Sequence, residues 1–359
     1  MKTIFSAIFF LLVSGTVFSQ YHEMPPPPPP AQDLSKESET VRLTKISEFP
    51  KQIFGWNVKQ LIISESDNLK EIPKEIGNFK NLNYFLITGG HQITKFPKEF
   101  TSLKNIKKLS LHNFRTEQIP VELFNLSGVQ EFEYFTYSYF TFPKELGKFK
   151  DLTKLILSRG TVRREGDMTK KEGNNLPSSI KSMKKLEEFS ASSNLMTELP
   201  SEIGSLSMLK DVSLSNNLLS KLPNTFSQLQ NLKTLTLSNN KFTVFPKELY
   251  ELQSLTRIDI YENQIDTFPQ GAEKMKSLIG LFINKNKISE NALKEIYKIP
   301  NLEVLDLGDC QLKSFPPGIE QMKKIKKIYV QGNFIPQSEV DRAQRLLPPG
   351  ARIVNVKMY

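Results

Sequence analysis

Apolar and polar positions alternate along most of this chain with a period close to 23 residues. Two clean units, LKDVSLSNNLLSKLPNTFSQLQN from Leu209 and LKTLTLSNNKFTVFPKELYELQS from Leu232, follow the pattern LxxLxLxxNxLxxLPxxhxxLxx, where h is apolar. Within each unit, LxLxx alternates as a strand does, whereas LPxxhxxL spaces its apolar residues three apart, as a helical turn does. The pattern therefore predicts a strand, a turn and a short helical or irregular return in every unit.

Prolines mark the same period and help to count the units. They recur at Pro50, Pro73, Pro97, Pro120, Pro143, Pro177, Pro200, Pro223, Pro246, Pro269 and Pro316, and most are 23 residues apart. The leading apolar residues of twelve predicted strands are Val58, Leu82, Ile106, Val129, Leu152, Leu186, Leu209, Leu232, Leu255, Leu278, Leu302 and Ile325. A unit this short cannot bury its own apolar face, so neighbouring units must stack. We expect an α/β solenoid with a parallel, concave β-sheet of about twelve strands and short convex returns.

This pattern resembles the leucine-rich repeat proteins of the LPxxh class, which includes plant intracellular Ras-group and Ras-suppressor-like proteins and many exported bacterial ones. The resemblance covers about residues 50 to 335. It implies a horseshoe-shaped solenoid whose general property is to bind other molecules. It does not imply a particular partner.

A polar position recurs where each predicted strand enters its turn. It is occupied by Asn194, Asn217, Asn240, Asn263, Asn286, Cys310 and Asn333. An interior amide there can pair with backbone groups that the bend leaves open, so we expect a structural ladder of stacked side chains. Cys310 is expected to be a buried member of this ladder and not a nucleophile.

The first half of the chain departs from the pattern. Phe114, Tyr137 and Gly160 replace the ladder asparagine, which predicts a broken ladder and less regular units. The segment 160–177 makes one unit about eleven residues too long, and its charged, glycine-containing sequence predicts an exposed loop. A surface loop without a role and a docking element are both compatible with it.

The two ends of the sequence predict an exported protein whose solenoid has a cap at each end. Residues 1–19 combine Lys2, an apolar run and small residues, as a cleaved secretory signal peptide does; an uncleaved anchor is the alternative. We expect a proline-rich linker at 20–40, an N-terminal cap at 41–57, repeats at 58–335 and a C-terminal cap at 336–359. No later stretch reaches membrane-spanning length. The expected location is secreted, periplasmic or cell-surface, and bacterial origin is our interpretation.

Composition adds little to this picture, except that it argues against several classes of protein. The single cysteine excludes internal disulfides. Three histidines, with no HExxH, GxSxG, GxxxxGK or dinucleotide glycine motif, favour a protein that is not an enzyme and has no cofactor or bound metal. The net charge is +10, but the predicted concave positions carry nine acidic and six basic residues. This distribution argues against nucleic acid as a partner.

Residues between the inward-pointing leucines should form the concave surface. Aromatic and arginine side chains dominate protein-binding hot spots, so we predict partner-binding residues in two patches. They are Tyr84, Phe135 and Arg159 in the first, and Arg257, Asp259, Tyr261, Phe282 and Tyr329 in the second. The leading hypothesis is a non-catalytic module that binds a protein on its concave face. The alternative is a structural or adhesion protein of the cell envelope that binds polysaccharide or matrix.

Overall fold

The computed structural model describes residues 38–114, 118–137, 140–159 and 174–355. The predicted signal peptide, nearly all of the predicted linker and most of the 160–177 insertion lie outside the described residues. The described part forms one open parallel sheet with its strands in chain order. The strands are β1 Thr40–Thr44, β2 Gln60–Ser64, β3 Tyr84–Thr88, β4 Lys108–Phe114, β5 Glu131–Thr136, β6 Lys154–Arg159, β7 Glu188–Ser190, β8 Asp211–Ser213, β9 Thr234–Thr236, β10 Arg257–Asp259, β11 Gly280–Phe282, β12 Val304–Asp306, β13 Lys327–Tyr329 and β14 Arg352–Val354.

Short 3-10 helices form most of the convex returns. They span Lys51–Gly55, Lys74–Asn78, Lys98–Ser102, Val121–Asn125, Lys144–Lys148, Ser178–Ser182, Ser201–Ser205, Asn224–Gln228, Lys247–Glu251, Ala272–Lys274 and Ile319–Gln321. In the first nine, the recurring proline is the residue before the helix, where its fixed φ suits helix entry and its missing N–H is not needed. The expected open solenoid with a parallel sheet and short returns is confirmed.

Two α-helices interrupt this scheme. α1, Glu290–Ile296, replaces the 3-10 helix in the one unit that lacks the recurring proline, and the Ser289 side chain caps it by accepting from the Ala292 N–H. α2, Gln337–Leu346, follows β13 and leads into β14. The described chain has fourteen strands instead of twelve, because each segment predicted as a cap contributes a strand that continues the sheet.

In the turns after β7 to β13, the residue before the ladder position lies in the left-handed region of φ. These residues are Ser193, Asn216, Asn239, Glu262, Lys285 and Asp309, with φ between 52° (Asn239, Asp309) and 64° (Ser193), and Gly332 with φ of 74°. The next residue is the ladder position. A left-handed residue reverses the chain direction locally, which turns the following side chain toward the interior.

The ladder side chains satisfy backbone groups in two successive units. Asn240 is representative: its Nδ2 donates to Leu214 O of the preceding unit and to Leu237 O of its own, both at 3.0 Å. Its Oδ1 accepts from Leu219 N–H, also at 3.0 Å. Asn194, Asn217, Asn263, Asn286 and Asn333 also donate to carbonyls of both units. Cys310 is buried and its thiol donates to Ile283 O.

An aromatic core takes the place of the ladder in the first half. Phe114 occupies the asparagine position, is fully buried, and its ring stacks on Phe96 with centroids 6.5 Å apart. Gly90 makes room for it, because a Cβ there would lie 2.6 Å from the Phe114 ring. Strands β1–β6 are five to seven residues long, whereas β7–β14 have three. Of the shorter strands, β7–β13 belong to the units in which an asparagine or cysteine side chain caps the strand end.

Candidate functional site

The concave face is built from the first and third residues of each strand and from the residues that follow in the turn. The parallel register aligns the third residues into a central column. Its members from β1 to β14 are Arg42, Ile62, Leu86, Ser110, Glu133, Ile156, Ser190, Ser213, Thr236, Asp259, Phe282, Asp306, Tyr329 and Val354. The column therefore changes from mixed apolar and charged, through hydroxyl-bearing, to acidic and aromatic.

The second predicted patch, named here the C-terminal patch (Arg257, Asp259, Tyr261, Phe282 and Tyr329), contains a compact cluster. The Arg257 guanidinium forms a bidentate ion pair with Asp259, with both N···O distances at 2.9 Å. The same guanidinium lies 4.0 Å from the centre of the Phe282 ring. Gly280, opposite Arg257 on β11, leaves the space into which this ring fits.

Burial limits what each member of this cluster can offer to a partner. Phe282 is 7% exposed and the Asp259 side chain 4%, whereas 31% of the Arg257 side chain is exposed. Burial raises the pKa of Asp259, and Arg257 opposes that rise. Phe282 and Asp259 were predicted to contact a partner, and in the structure both contact Arg257. Tyr261 and Tyr329 are half-buried.

Asp306 and Tyr329 adjoin this cluster on β12 and β13. Phe282 is in register with Asp306, and Asp306 with Tyr329, so the carboxylate lies between two aromatic residues. Its Oδ1 accepts from Gly308 N–H at 2.9 Å. Burial raises the pKa of Asp306, and the nearby carboxylates Asp309 and Asp259 add to the rise.

The first predicted patch, named here the N-terminal patch (Tyr84, Phe135 and Arg159), is spread over β3, the end of β5 and the end of β6. A charged network on β4 and β5 lies between Tyr84 and Phe135. Lys108 Nζ lies 5.7 Å from the centre of the Tyr84 ring, 3.1 Å from Glu131 and 3.3 Å from Glu133. This network was not foreseen from the sequence.

Glu133 is the centre of that network. It accepts from Ser110 Oγ at 2.8 Å, and His112 Nε2 lies 3.7 Å from its carboxylate. The His112 ring packs edge-on against Phe135, with centroids 4.6 Å apart. Burial opposes ionisation of Glu133, but His112, Lys108 and Ser110 outweigh it and lower its pKa to about 2. The carboxylate is therefore an ionised structural group, not a solvated one.

Hydroxyl groups cover the middle of the face. Ser192 Oγ and Ser213 Oγ are 3.0 Å apart, while Thr236 and Ser238 are buried. Asp211 and Thr234 project from the first positions of β8 and β9, where Asp211 is exposed and Thr234 half-buried. This part of the sheet is polar and carries smaller side chains than either patch.

A histidine–aspartate pair lies at the turns that follow β2 and β3. His91 Nε2 is 3.0 Å from Asp67 Oδ1, beside a shallow cleft of about 520 Å³. The other ring nitrogen, Nδ1, is buried and has no hydrogen-bond partner in the described structure. A general base needs an accessible nitrogen within reach of a substrate. Among the described residues, no three His, Cys, Asp or Glu side chains converge as metal ligands would.

A solenoid with one parallel sheet and an open concave face is a repeat protein built from short stacked units. Comparison with known families identifies it more closely: the description "Leucine-rich repeat region" matches residues 57–198, and further leucine-rich repeat descriptions match 209–265 and 301–322. The chain belongs to the leucine-rich repeat proteins. This fold is generally a protein–protein interaction module and a non-catalytic scaffold.

Solved structures show the same fold. A leucine-rich repeat protein of Leptospira interrogans is 26% identical, with a TM-score of 0.55, over 89% of this chain and 96% of that one. An internalin of Listeria monocytogenes is 17% identical, with a TM-score of 0.62, over 89% and 86%. The ectodomain of an Arabidopsis thaliana membrane receptor kinase, solved in complex with Casparian Strip Integrity Factor 2, is 20% identical, with a TM-score of 0.57, over 89% and 43%. A search of curated proteins found no match.

Proposed function

We propose that this chain is a non-catalytic binding module that recognises a protein partner through the concave face. The main observation in support is the C-terminal patch, where a stacked and ion-paired arginine shares the concave face with two half-buried tyrosines. Arginine and tyrosine in such settings are enriched among the residues that dominate protein interfaces. Their side chains are already held in place, so less conformational entropy is lost on binding.

The concave location is tested by two tryptophan substitutions in adjacent repeat units. Thr234→Trp on β9 adds bulk to the middle of the concave face, and Gln228→Trp adds the same bulk to the convex 3-10 helix. Proteins of the envelope and culture medium are captured on each purified chain, and the affinity of each captured protein is then measured. We expect Thr234→Trp to weaken binding by about tenfold or more, or about 1.4 kcal/mol, and Gln228→Trp to leave it unchanged.

Two other outcomes would argue against this function. Equal binding by the two variants would remove the concave face from the interface. Capture of envelope polysaccharide with no protein would support the adhesion alternative. The triple change of Arg257, Tyr261 and Phe282 to alanine is a poorer test, because Phe282 is buried and Asp259 would lose its only ion pair among the described residues.

The proposal extends to location. Residues 1–19 combine a basic start, an apolar run shorter than a membrane span and small residues at the end, which favours cleavage near Ser19 and export. Among the described residues, no helix is long and apolar enough to cross a membrane. N-terminal sequencing of the chain recovered outside the cytoplasm should begin at Gln20. Recovery of the uncleaved chain inside the cell would contradict export.

The LPxxh subclass belongs to the same proposal. Its support is the recurring proline, which precedes nine of the 3-10 returns in the described residues and fixes their entry geometry. Membership of this subclass does not narrow the choice of partner.

A further inference from the structure

Most concave carboxylates already have a basic partner. Within the described residues, the ion pairs are Lys45–Glu65, Lys108–Glu131, Lys108–Glu133, Lys154–Glu188, Arg257–Asp259 and Lys285–Glu262. Three concave acids take part in no ion pair there: Asp211, Asp306 and Asp309. Asp211 and Asp309 are exposed and well solvated, whereas Asp306 is half-buried. Asp306 is therefore the carboxylate whose charge is least compensated.

Among the described residues, the surroundings of Asp306 supply further acceptors and no cation that is ion-paired with it. Lys327, on the neighbouring strand, is in register with Val304 and forms no ion pair with Asp306. The interactions found at the Asp306 carboxylate are hydrogen bonds with Gly308 N–H and the Gln331 side chain. The second oxygen-bearing group here, Gln331 Oε1, is buried and has no hydrogen-bond donor in the described part of the chain. A buried acceptor left without a donor is unfavourable by about 1–3 kcal/mol.

Aromatic residues flank this carboxylate. Phe282 and Tyr329 occupy the central-column positions on either side of it. Gln331 and Asp309 pack directly on the backbone of Gly308 and Gly332, where a Cβ atom would overlap them. A guanidinium has five N–H donors, has no acceptor and packs well on aromatic faces. It matches the half-buried carboxylate of Asp306, which takes part in no ion pair among the described residues.

We propose that the C-terminal end of the concave face receives an arginine side chain of the protein partner, which pairs with Asp306 and packs against the half-buried Tyr329. This inference rests on the concave-face function proposed above and names the chemistry of the partner. It requires a partner segment that carries a positive charge at the point of contact. A neutral or acidic segment at this position would leave Asp306 uncompensated in a desolvated interface.

The probe is a displayed library of random peptides of fixed length, selected on the unmodified chain and counter-selected on the Thr234→Trp variant. Peptides that need the concave face should be enriched in arginine. The best binder is then resynthesised with citrulline, a neutral analogue of similar shape, in place of each arginine in turn. One replacement should lower affinity by about tenfold to a hundredfold, the range for a lost charge-assisted hydrogen bond.

A second arm changes the protein. Asp306→Asn should cause a loss of similar size for the arginine peptide and little loss for its citrulline analogue. Asp211→Asn, which removes an exposed concave charge, should leave the ratio of the two affinities unchanged. Because the citrulline arm leaves the protein intact, a folding defect in Asp306→Asn would not mask the result.

The outcomes separate this inference from the broader function. Peptides that lose binding with Thr234→Trp but show no preference for arginine, or bind Asp306→Asn normally, would overturn the arginine site alone. Selection of lysine peptides in place of arginine peptides would also overturn it, since a lysine ammonium lacks the planar set of donors. Peptides unaffected by Thr234→Trp would refute the concave-face function itself.

Discussion

Replacement of Asn240 by alanine tests whether the ladder stabilises this solenoid. Asn240 is 3% exposed and makes its three shortest hydrogen bonds with Leu214 O, Leu237 O and Leu219 N–H. Alanine removes the side-chain amide and leaves these three backbone groups without that partner. Each buried group left unpaired is unfavourable by about 1–3 kcal/mol. Since some carbonyls can relax toward other donors, we expect a total loss of about 3 kcal/mol in the free energy of unfolding.

Urea denaturation followed by circular dichroism measures that loss, because the midpoint shifts while the slope stays constant if the extent of unfolding is unchanged. Asn224→Ala is the matched control: it is the same chemical change in the preceding return, at an exposed position with no side-chain hydrogen bond among those described. Surface changes of this kind usually alter stability by less than about 0.5 kcal/mol. If Asn240→Ala were no more destabilising than Asn224→Ala, the hydrogen-bond account of the ladder would be refuted.

Two further predictions follow from the same structure. Cys310→Asn should raise the free energy of unfolding by about 1 kcal/mol. Met196, Leu219, Phe242, Ile265 and Leu312 each donate an N–H to the ladder asparagine oxygen of the next unit, whereas Ile288, at the equivalent position, is followed by a unit whose ladder residue is Cys310 and offers no such oxygen. An unchanged denaturation midpoint would contradict this. The pKa of Glu133 falls on folding from 4.5 to about 2, so the carboxylate stabilises the fold above pH 4.5, and this contribution of about 3 kcal/mol is lost as the pH falls toward 2. The difference in stability between the unmodified chain and Glu133→Gln, measured by denaturation at a series of pH values, should therefore shrink over that range; a difference independent of pH would show that the charge of Glu133 contributes nothing.

The fold could be predicted from the sequence because the residue pattern that specifies it is periodic. Leucines at fixed spacing determine which strand residues point inward, and the asparagine at the end of LxxLxLxxN determines where the strand stops. The returns were equally predictable, since proline fixes the residue that precedes each of the first nine 3-10 helices. The absence of proline before α1 marked the one unit in which Ser289 could start a true helix instead.

The first half was harder to predict because a different interaction replaces the ladder there. Phe114 marked the position where the asparagine pattern failed, but its partner Phe96 lies in the preceding unit and can be found only from the three-dimensional stacking. Ser66 was missed for a related reason. Its hydroxyl accepts from Ile46 N–H and donates to Ser64 O, so it replaces part of the hydrogen bonding that an asparagine provides in other turns.

The pairing of side chains on the concave face could not be predicted from spacing alone. The sequence places Arg257 and Asp259 two apart on one strand, which predicts that they share a face. It does not reveal that they bind each other, or that the missing side chain of Gly280 lets Phe282 lie beneath the guanidinium. These contacts depend on side-chain conformations that only the neighbouring strands determine.

Because of these pairings, a charged partner group would gain different amounts of binding free energy at the two patches. At the N-terminal patch, Lys108 is already engaged by two carboxylates and Glu133 by Ser110, so a charged partner group would have to replace contacts that exist. Replacing one ion pair by another gives little net free energy, because both states have their charges compensated. At β12 the carboxylate of Asp306 has no such pair to break. A complementary charge placed there adds an interaction without removing one, which makes this end of the sheet the better location for specificity.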